Sequence, residues 1–377
     1  MYKRQGQDGL SPQVVTIAEM LKPAGYATAL FGKWHLGERP EYSPLAQGFD
    51  HYFGVPYSND MYPHPDHVLS DDVRFTSGYD EQRYRADLER VEQQTEKMWE
   101  MAKELGYKVP LFEGNEVVEY PADQAMLTKR YFARARQFIS EHQEGPFFLL
   151  ITPSMPHIPL AASDQFRGKS PRGLYGDVIE EIDWEVGQLR EHLQQLGLDS
   201  RTLLLFTSDN GPWLEKGEDG GSAGELHGGK ASNFEGGVRV PAIAAWPGAI
   251  PAGSVSSEVA GTLDLFPTFA GLAGVDLPAD HYLDGISLVT HLFEPRNRLN
   301  RSAWFYNLEG EIAGVRQGNW KYLRPGKVAS WGEFVTDETQ LFNLASDPGE
   351  MDNLASRLPA KVAEFEALVE LFEKTLE

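Results

Sequence analysis

Between residues 123 and 246 the sequence alternates two periods. Stretches that place apolar residues on one helical face, about 123–141 and 175–196, each lead into a short unbroken apolar run, 146–152 and 202–208, and a third such run follows at 240–246. An unbroken apolar strand has no polar face to give to water, so it belongs in a sheet covered on both sides. Intervening helices supply the crossovers that parallel neighbours need. The pattern predicts an α/β fold with a mainly parallel sheet sandwiched by helices.

The flanking sequence extends this plan. Ser11-Pro12 offers a helix start, with Val14, Ile17, Ala18 and Leu21 on one face and Pro23 and Gly25 as the stop. A strand at 26–31 then delivers Lys33 and His35 at its carboxyl end. Residues 60–120 are charged and irregular, with a helical run near 81–104, and read as an insertion near the pocket mouth. After residue 300 come short strands at 303–306, 312–316, 320–323 and 340–344, then a helix at 359–376. They predict a small antiparallel C-terminal domain, so the expected division is 1–299 and 300–377. Trp304, Trp320 and Trp331 in this part read as packing residues.

Charge and composition narrow the function. Against 34 Lys and Arg stand 56 Asp and Glu, a net charge of -22, which argues against nucleic acid because a phosphate-backbone partner requires a basic footprint. Any anion site must be a local concentration of cations. With no cysteine, the chain has neither disulfides nor thiolate metal ligands. No apolar run reaches the length of a membrane span, and no apolar segment follows residues 1–7 as it would in a signal peptide.

Chemistry-bearing residues gather where strands should end. They are Lys33 and His35 in Gly32-Lys33-Trp34-His35-Leu36-Gly37, His157 between Pro156 and Pro159, Asp209 and Asn210 before Gly211, and Lys230 after two glycines. Open parallel sheets bind ligands outside the carboxyl ends of their strands. Asp209 and Asn210 offer hard oxygens suited to calcium or magnesium, although Asp-Asn-Gly is equally a turn signal. Lys230 suits a tetrahedral oxyanion, and an exposed histidine suits proton transfer near neutrality.

Together these motifs resemble the sulfatase family, the arylsulfatase-like branch of the alkaline phosphatase superfamily. Pro56-Tyr57-Ser58-Asn59-Asp60, Phe234-Glu235-Gly236-Gly237-Val238-Arg239, Leu341-Phe342-Asn343-Leu344 and Asp347-Pro348-Gly349-Glu350 complete the match. The resemblance implies a calcium-dependent sulfuric ester hydrolase, with Asp209 and Asn210 as half of the calcium ligands. It implies that Lys33, Ser58, His157 and Lys230 contact the sulfate ester, that His157 assists the leaving group, and that His35 takes a proton when sulfate is released. Glu235 and Arg239 are expected to fix the loop after Lys230, with His227 as a supporting residue. Asn59, His64 and His67 lie near the pocket but read as incidental.

One departure stands out. The family's paired-aspartate motif and Cys-x-Pro-Ser-Arg motif, whose cysteine becomes formylglycine, have no counterpart here, and Met1-Tyr2 resembles the stretch that follows the nucleophile motif. The expectation is a sequence lacking its beginning, which as written binds calcium poorly. The intact member is expected in the periplasm or outside the cell, acting on a sulfated small molecule or carbohydrate. Two alternatives stay open: a non-catalytic binder of sulfated glycans, and a phosphomonoesterase or phosphodiesterase of the same superfamily.

Overall fold

Residues 27–33 read Ala-Thr-Ala-Leu-Phe-Gly-Lys, and their interior positions are all buried, as an unbroken apolar strand requires. The structure, a computed structural model, describes residues 9–93, 98–278, 283–330 and 334–376. Met1-Tyr2 and Trp331 lie outside the described residues. The chain divides into two units, one of residues 2–201 with 266–281, the other of 202–265 with 282–377.

The first unit is built on a six-stranded sheet. Strand β1 (Ala27–Lys33) runs parallel to β2 (His51–Val55) on one side and to β6 (Phe147–Thr152) on the other. Beyond β2 lie β4 (Leu111–Glu113), β5 (Glu116–Tyr120) and the edge strand β3 (Val68–Phe75), giving the order β3-β5-β4-β2-β1-β6. The β2–β4 and β4–β5 pairings are antiparallel. Helix α4 (Leu127–Glu141) packs on β1 and against α5 (Gly173–Gln195). Leu30, Trp34, Phe49, Tyr52, Phe112 and Tyr120 form one buried cluster of this unit.

Two expectations are corrected here. Residues 60–120 are not irregular: they supply β3, β4 and β5, with a hairpin turn at Gly114-Asn115. Their charges decorate helices α2 (Glu81–Gln93) and α3 (Met98–Leu105). The N-terminal helix α1 (Ile17–Leu21) starts later than Ser11-Pro12 suggests, because Thr16 and Glu19 close a capping box. Thr16 Oγ1 accepts from the Glu19 N–H at 3.1 Å, and Glu19 Oε2 accepts from the Thr16 N–H at 2.8 Å. Thr16→Ala is expected to cost about 1 kcal/mol in urea denaturation.

In the second unit β7 (Leu204–Thr207) and β8 (Ala242–Ala245) pair antiparallel. A four-stranded antiparallel sheet follows, in the order β12-β11-β10-β9, from β9 (Trp304–Leu308), β10 (Glu311–Gln317), β11 (Trp320–Leu323) and β12 (Gln340–Asn343). Helix α9 (Pro359–Glu373) covers it, placing Phe365 and Val369 on Val315, Tyr322 and Leu341. Arg324 ties that helix to the sheet through Glu366 at 2.8 Å and Glu373 at 2.6 Å. Trp304 and Trp320 pack against the two apolar clusters of this sheet, as expected. No helix among the described residues is long and apolar enough to cross a membrane.

Candidate functional site

The residues singled out in the sequence fall into two sets, one per unit. In the first unit, β1 ends on a close approach of backbone that only glycine permits. Gly32 has φ 132°, and a Cβ there would stand 2.0 Å from Thr152 O, while one on Gly54 would stand 1.7 Å from Gly32 O. The three strand ends are thereby drawn together, and Thr152 Oγ1 donates to Lys33 O at 2.7 Å.

Trp34 anchors the loop that follows. Its indole is buried and donates from Nε1 to Tyr42 O at 2.8 Å, while its neighbours Lys33 and His35 are half-buried and exposed. His35 sits at φ 59°, a left-handed conformation costing a non-glycine residue about 1–2 kcal/mol. It is held by its N–H donating to Pro56 O at 3.0 Å and by its ring lying 4.2 Å from that of Tyr57. Strain retained under such constraint marks a position where side-chain placement matters.

Ser58 follows Tyr57 and is 1 % exposed, its hydroxyl without a hydrogen-bond partner among the described residues. Asn59 is fully buried, so it offers nothing to a ligand's outer face. Its amide instead donates toward His157 O at 3.2 Å and Pro159 O at 3.3 Å. His157 lies half-buried between cis peptide bonds at Met155-Pro156 and Ile158-Pro159. Its Nδ1 is 2.8 Å from Ile158 O. A carbonyl only accepts, so Nδ1 carries the hydrogen, and Nε2 is the nitrogen that exchanges a proton as the ring titrates. Lys33 thus ends β1, and His35, Ser58 and His157 occupy three loops that are bonded to one another.

His67, which sequence reading set aside as incidental, also lies here, paired with Glu38, which it did not single out. Glu38 Oε2 and His67 Nε2 are 2.8 Å apart with both side chains only 1 % exposed, and His67 Nδ1 accepts from the His64 N–H at 3.1 Å. It pins the segment after Gly37 to the segment after Asp60. Burial, aided by Glu38, pushes the Tyr62 phenol up to about 12, and burial lowers the His64 imidazole. The clue in the sequence was the distance in chain between two ionisable residues on loops that each carry a motif.

In the second unit, glycines again set the geometry. A Cβ on Gly211 would stand 1.8 Å from Gly236 O, and the Gly211 N–H donates to Gly237 O at 2.9 Å. The turn bearing Asp209 and Asn210 therefore lies directly on α6 (Glu235–Val238). The Lys230 N–H donates to Pro212 O at 2.8 Å, bringing the Gly228-Gly229-Lys230 loop to the same place. Lys230 Nζ rests 4.6 Å from the centre of the Trp213 ring and Lys216 Nζ 4.3 Å from it.

Glu235 does fix this loop. It is buried, bonded at 2.9 Å to Lys321 and at 3.2 Å to Arg316. Its backbone N–H donates to Glu350 Oε2 at 2.6 Å. His227 supports the loop by accepting from the Gly236 N–H at 2.6 Å and by its ring meeting Phe234 edge-on at 4.3 Å. Arg239 is exposed.

The donors here do not make a closed calcium site. Asp209 is exposed, Asn210 donates its own Nδ2 to Gly211 O at 2.8 Å, and among the described residues no three His, Cys, Asp or Glu cluster to hold a metal. Calcium takes six to eight oxygens. Titrating this chain with Ca²⁺ in a calorimeter is expected to show binding no tighter than about 1 mM.

Comparison with known proteins decides the family. A family model described as sulfatase matches residues 1–275. The chain belongs to the sulfatase family. A second model, for the C-terminal part of N-sulphoglucosamine sulphohydrolase, matches residues 229–370. The N-acetylgalactosamine-6-sulfatase of Rattus norvegicus is 35 % identical over 359 residues, 89 % of this chain and 63 % of that protein. Arylsulfatase G of Mus musculus is 36 % identical over 369 residues, 90 % of this chain and 67 % of that protein. This sulfatase chain thus spans somewhat under two thirds of the length of the first of these relatives. Among solved structures, the PsFucS1 sulfatase from Pseudoalteromonas sp. superposes with TM-score 0.80 at 26 % identity, over 99 % of this chain and 76 % of that one. Ps i-CgsB in complex with k-i-k-neocarrahexaose gives TM-score 0.75 at 26 % identity, over 98 % and 76 %.

Proposed function

We propose that this sulfatase takes part in hydrolysis of sulfate esters carried on a carbohydrate, in a compartment outside the cytoplasm. The observation that carries the reading is the fixed imidazole of His157, whose Nδ1 is committed to Ile158 O, so that acid chemistry at a leaving-group oxygen would fall to Nε2. Lys33 and Lys230 would neutralise sulfate oxygens, Ser58 would donate to one of them from its buried hydroxyl, and His35 would take up the proton released with sulfate. Formylglycine, the family's nucleophile, would supply the attack on sulfur. Asp209 and Asn210 would be two of the oxygen ligands of a Ca²⁺ or Mg²⁺ ion whose shell needs further donors. The carbohydrate part of the reading is supported by relatives named for N-acetylgalactosamine 6-sulfate and by a structural neighbour solved with a carrageenan-type oligosaccharide.

The test is to read the coding DNA in frame upstream of Met1 and express the longest frame with a formylglycine-generating enzyme. The product is then assayed on nitrophenyl sulfate and on sulfated N-acetylgalactosamine. Turnover that drops about a hundredfold or more in His157→Ala supports the reading. A frame without the cysteine motif, or a product that binds sulfated glycans and turns over none, would overturn it in favour of a binding protein.

A further inference from the structure

We infer that Asn59 and Gln124 are positioning residues for His157, acting through the backbone of its loop; the inference rests on the acid role proposed above for His157. Asn59 Nδ2 lies 3.2 Å from Gln124 Oε1, 3.2 Å from His157 O and 3.3 Å from Pro159 O. Gln124 Nε2 returns hydrogen bonds to Asn59 O at 2.8 Å and to Tyr107 O at 3.1 Å. Each amide nitrogen faces backbone carbonyls, so neither amide can flip without setting oxygen against oxygen. The two side chains therefore form a reciprocal clamp of fixed polarity.

What the clamp grips is specific. The carbonyls of residues 157 and 159 flank that of Ile158, and Ile158 O is the acceptor that fixes His157 Nδ1 at 2.8 Å. Holding the outer two carbonyls sets the direction of the middle one, and the middle one sets the tautomer. At its other end the clamp is anchored on rigid structure. Gln124 opens a 3₁₀ turn capped by Asp123 Oδ1, which accepts from the Ala125 N–H at 3.2 Å. That turn runs directly into α4, the helix packed on β1. Gln124 lies 65 residues from Asn59 in sequence and carries no motif, and Asn59 is fully buried, so it is not placed to touch substrate from an outer surface.

The test uses the chain as it stands, by ¹⁵N-resolved imidazole NMR. Wild-type His157 is expected in the Nδ1–H form when neutral, with its Nδ1 hydrogen slow to exchange. Asn59→Asp keeps the shape but removes the Nδ2 donor that grips the His157 and Pro159 carbonyls, and is expected to give a mixture of tautomers, with exchange of the Nδ1 hydrogen about tenfold faster, the equivalent of one lost hydrogen bond. Gln124→Glu, which keeps the acceptor for Asn59 and removes only its own donors, covers the case in which Asn59→Asp fails to fold and is expected to shift the same signals in the same direction. A folded variant with a lower denaturation midpoint but an unchanged tautomer and exchange rate would overturn the clamp and leave Asn59 as packing.

This readout needs no turnover, so failure of the sulfatase reading and failure of the clamp are told apart. Where the longer frame is active, the clamp variants should lose about tenfold more rate on an alkyl sulfate than on nitrophenyl sulfate, because a poor leaving group needs the acid and a good one does not. Equal losses on both would count against the inference.

Discussion

Lys321→Met is expected to destabilise the protein by about 3–5 kcal/mol in urea denaturation. Lys321 is fully buried, with its ammonium 2.9 Å from both Glu235 and Glu350 and 4.8 Å from the Tyr306 ring. Burial opposes its charge, yet Tyr306 and the two carboxylates outweigh that and hold its pKa above the usual lysine range. Removing the cation leaves two buried carboxylates with Arg316 to answer them. Adding Glu350→Gln to Lys321→Met should recover part of the loss, since it deletes one of the uncompensated charges. A loss below about 1 kcal/mol for the single change would place the lysine in water in solution. The consequence reaches the site, because Glu235 is the first residue of α6, on which the Asp209 turn and the Lys230 loop both rest.

The second large effect is at Gly211. A Cβ there would stand 1.8 Å from Gly236 O and cannot be relieved by swinging a flexible side chain. Gly236 is itself closely hemmed in: its N–H donates to His227 O at 2.6 Å, and a Cβ on it would stand 2.2 Å from Gly228 O and 2.4 Å from His227 O. Gly211→Ala is expected to cost about 3 kcal/mol, at the upper end for overpacking, and to part the Asp209 turn from the Lys230 loop. Gly187, inside α5 with nothing within 4 Å of where a methyl group would stand, is the control. Gly187→Ala should raise stability by about 0.5–1 kcal/mol. Thermal unfolding of the two variants side by side separates loss of fit from the general effect of adding a methyl group.

Strands whose two faces are both apolar were plain from sequence: 26–31, 146–152, 202–208 and 240–246 all correspond to strands, displaced by one to two residues at their ends. The C-terminal meander and its closing helix were equally legible, because each strand there is bounded by turn residues. Strands β2 to β5 were not. His51-Tyr52-Phe53-Gly54-Val55 carries a glycine that reads as a break, and it is required only because Gly32 lies against it. In β3, the exposed Asp71 and Asp72 suit an edge strand with a solvated side, a fact of its neighbours and not of its own pattern.

The candidate residues divide along the same line. Lys33, His35, His157 and Lys230 stand beside glycines and prolines that punctuate the chain, so their placement at a strand end or on loops was visible. Asn59 with Gln124, and Glu38 with His67, are two pairs brought together from distant positions. Nothing local in a sequence announces that an asparagine next to a serine turn will close over a loop almost a hundred residues later.

The left-handed backbone at His35 sets backbone strain against the choice of side chain. Glycine or asparagine would sit at φ 59° with less strain, whereas Trp34 beside it is fastened by its indole and by the buried cluster around it. A population selected for heat resistance alone would drift away from histidine at position 35 while keeping the tryptophan. On the proposed reading, proton uptake at position 35 is the demand that would keep the imidazole there against that strain.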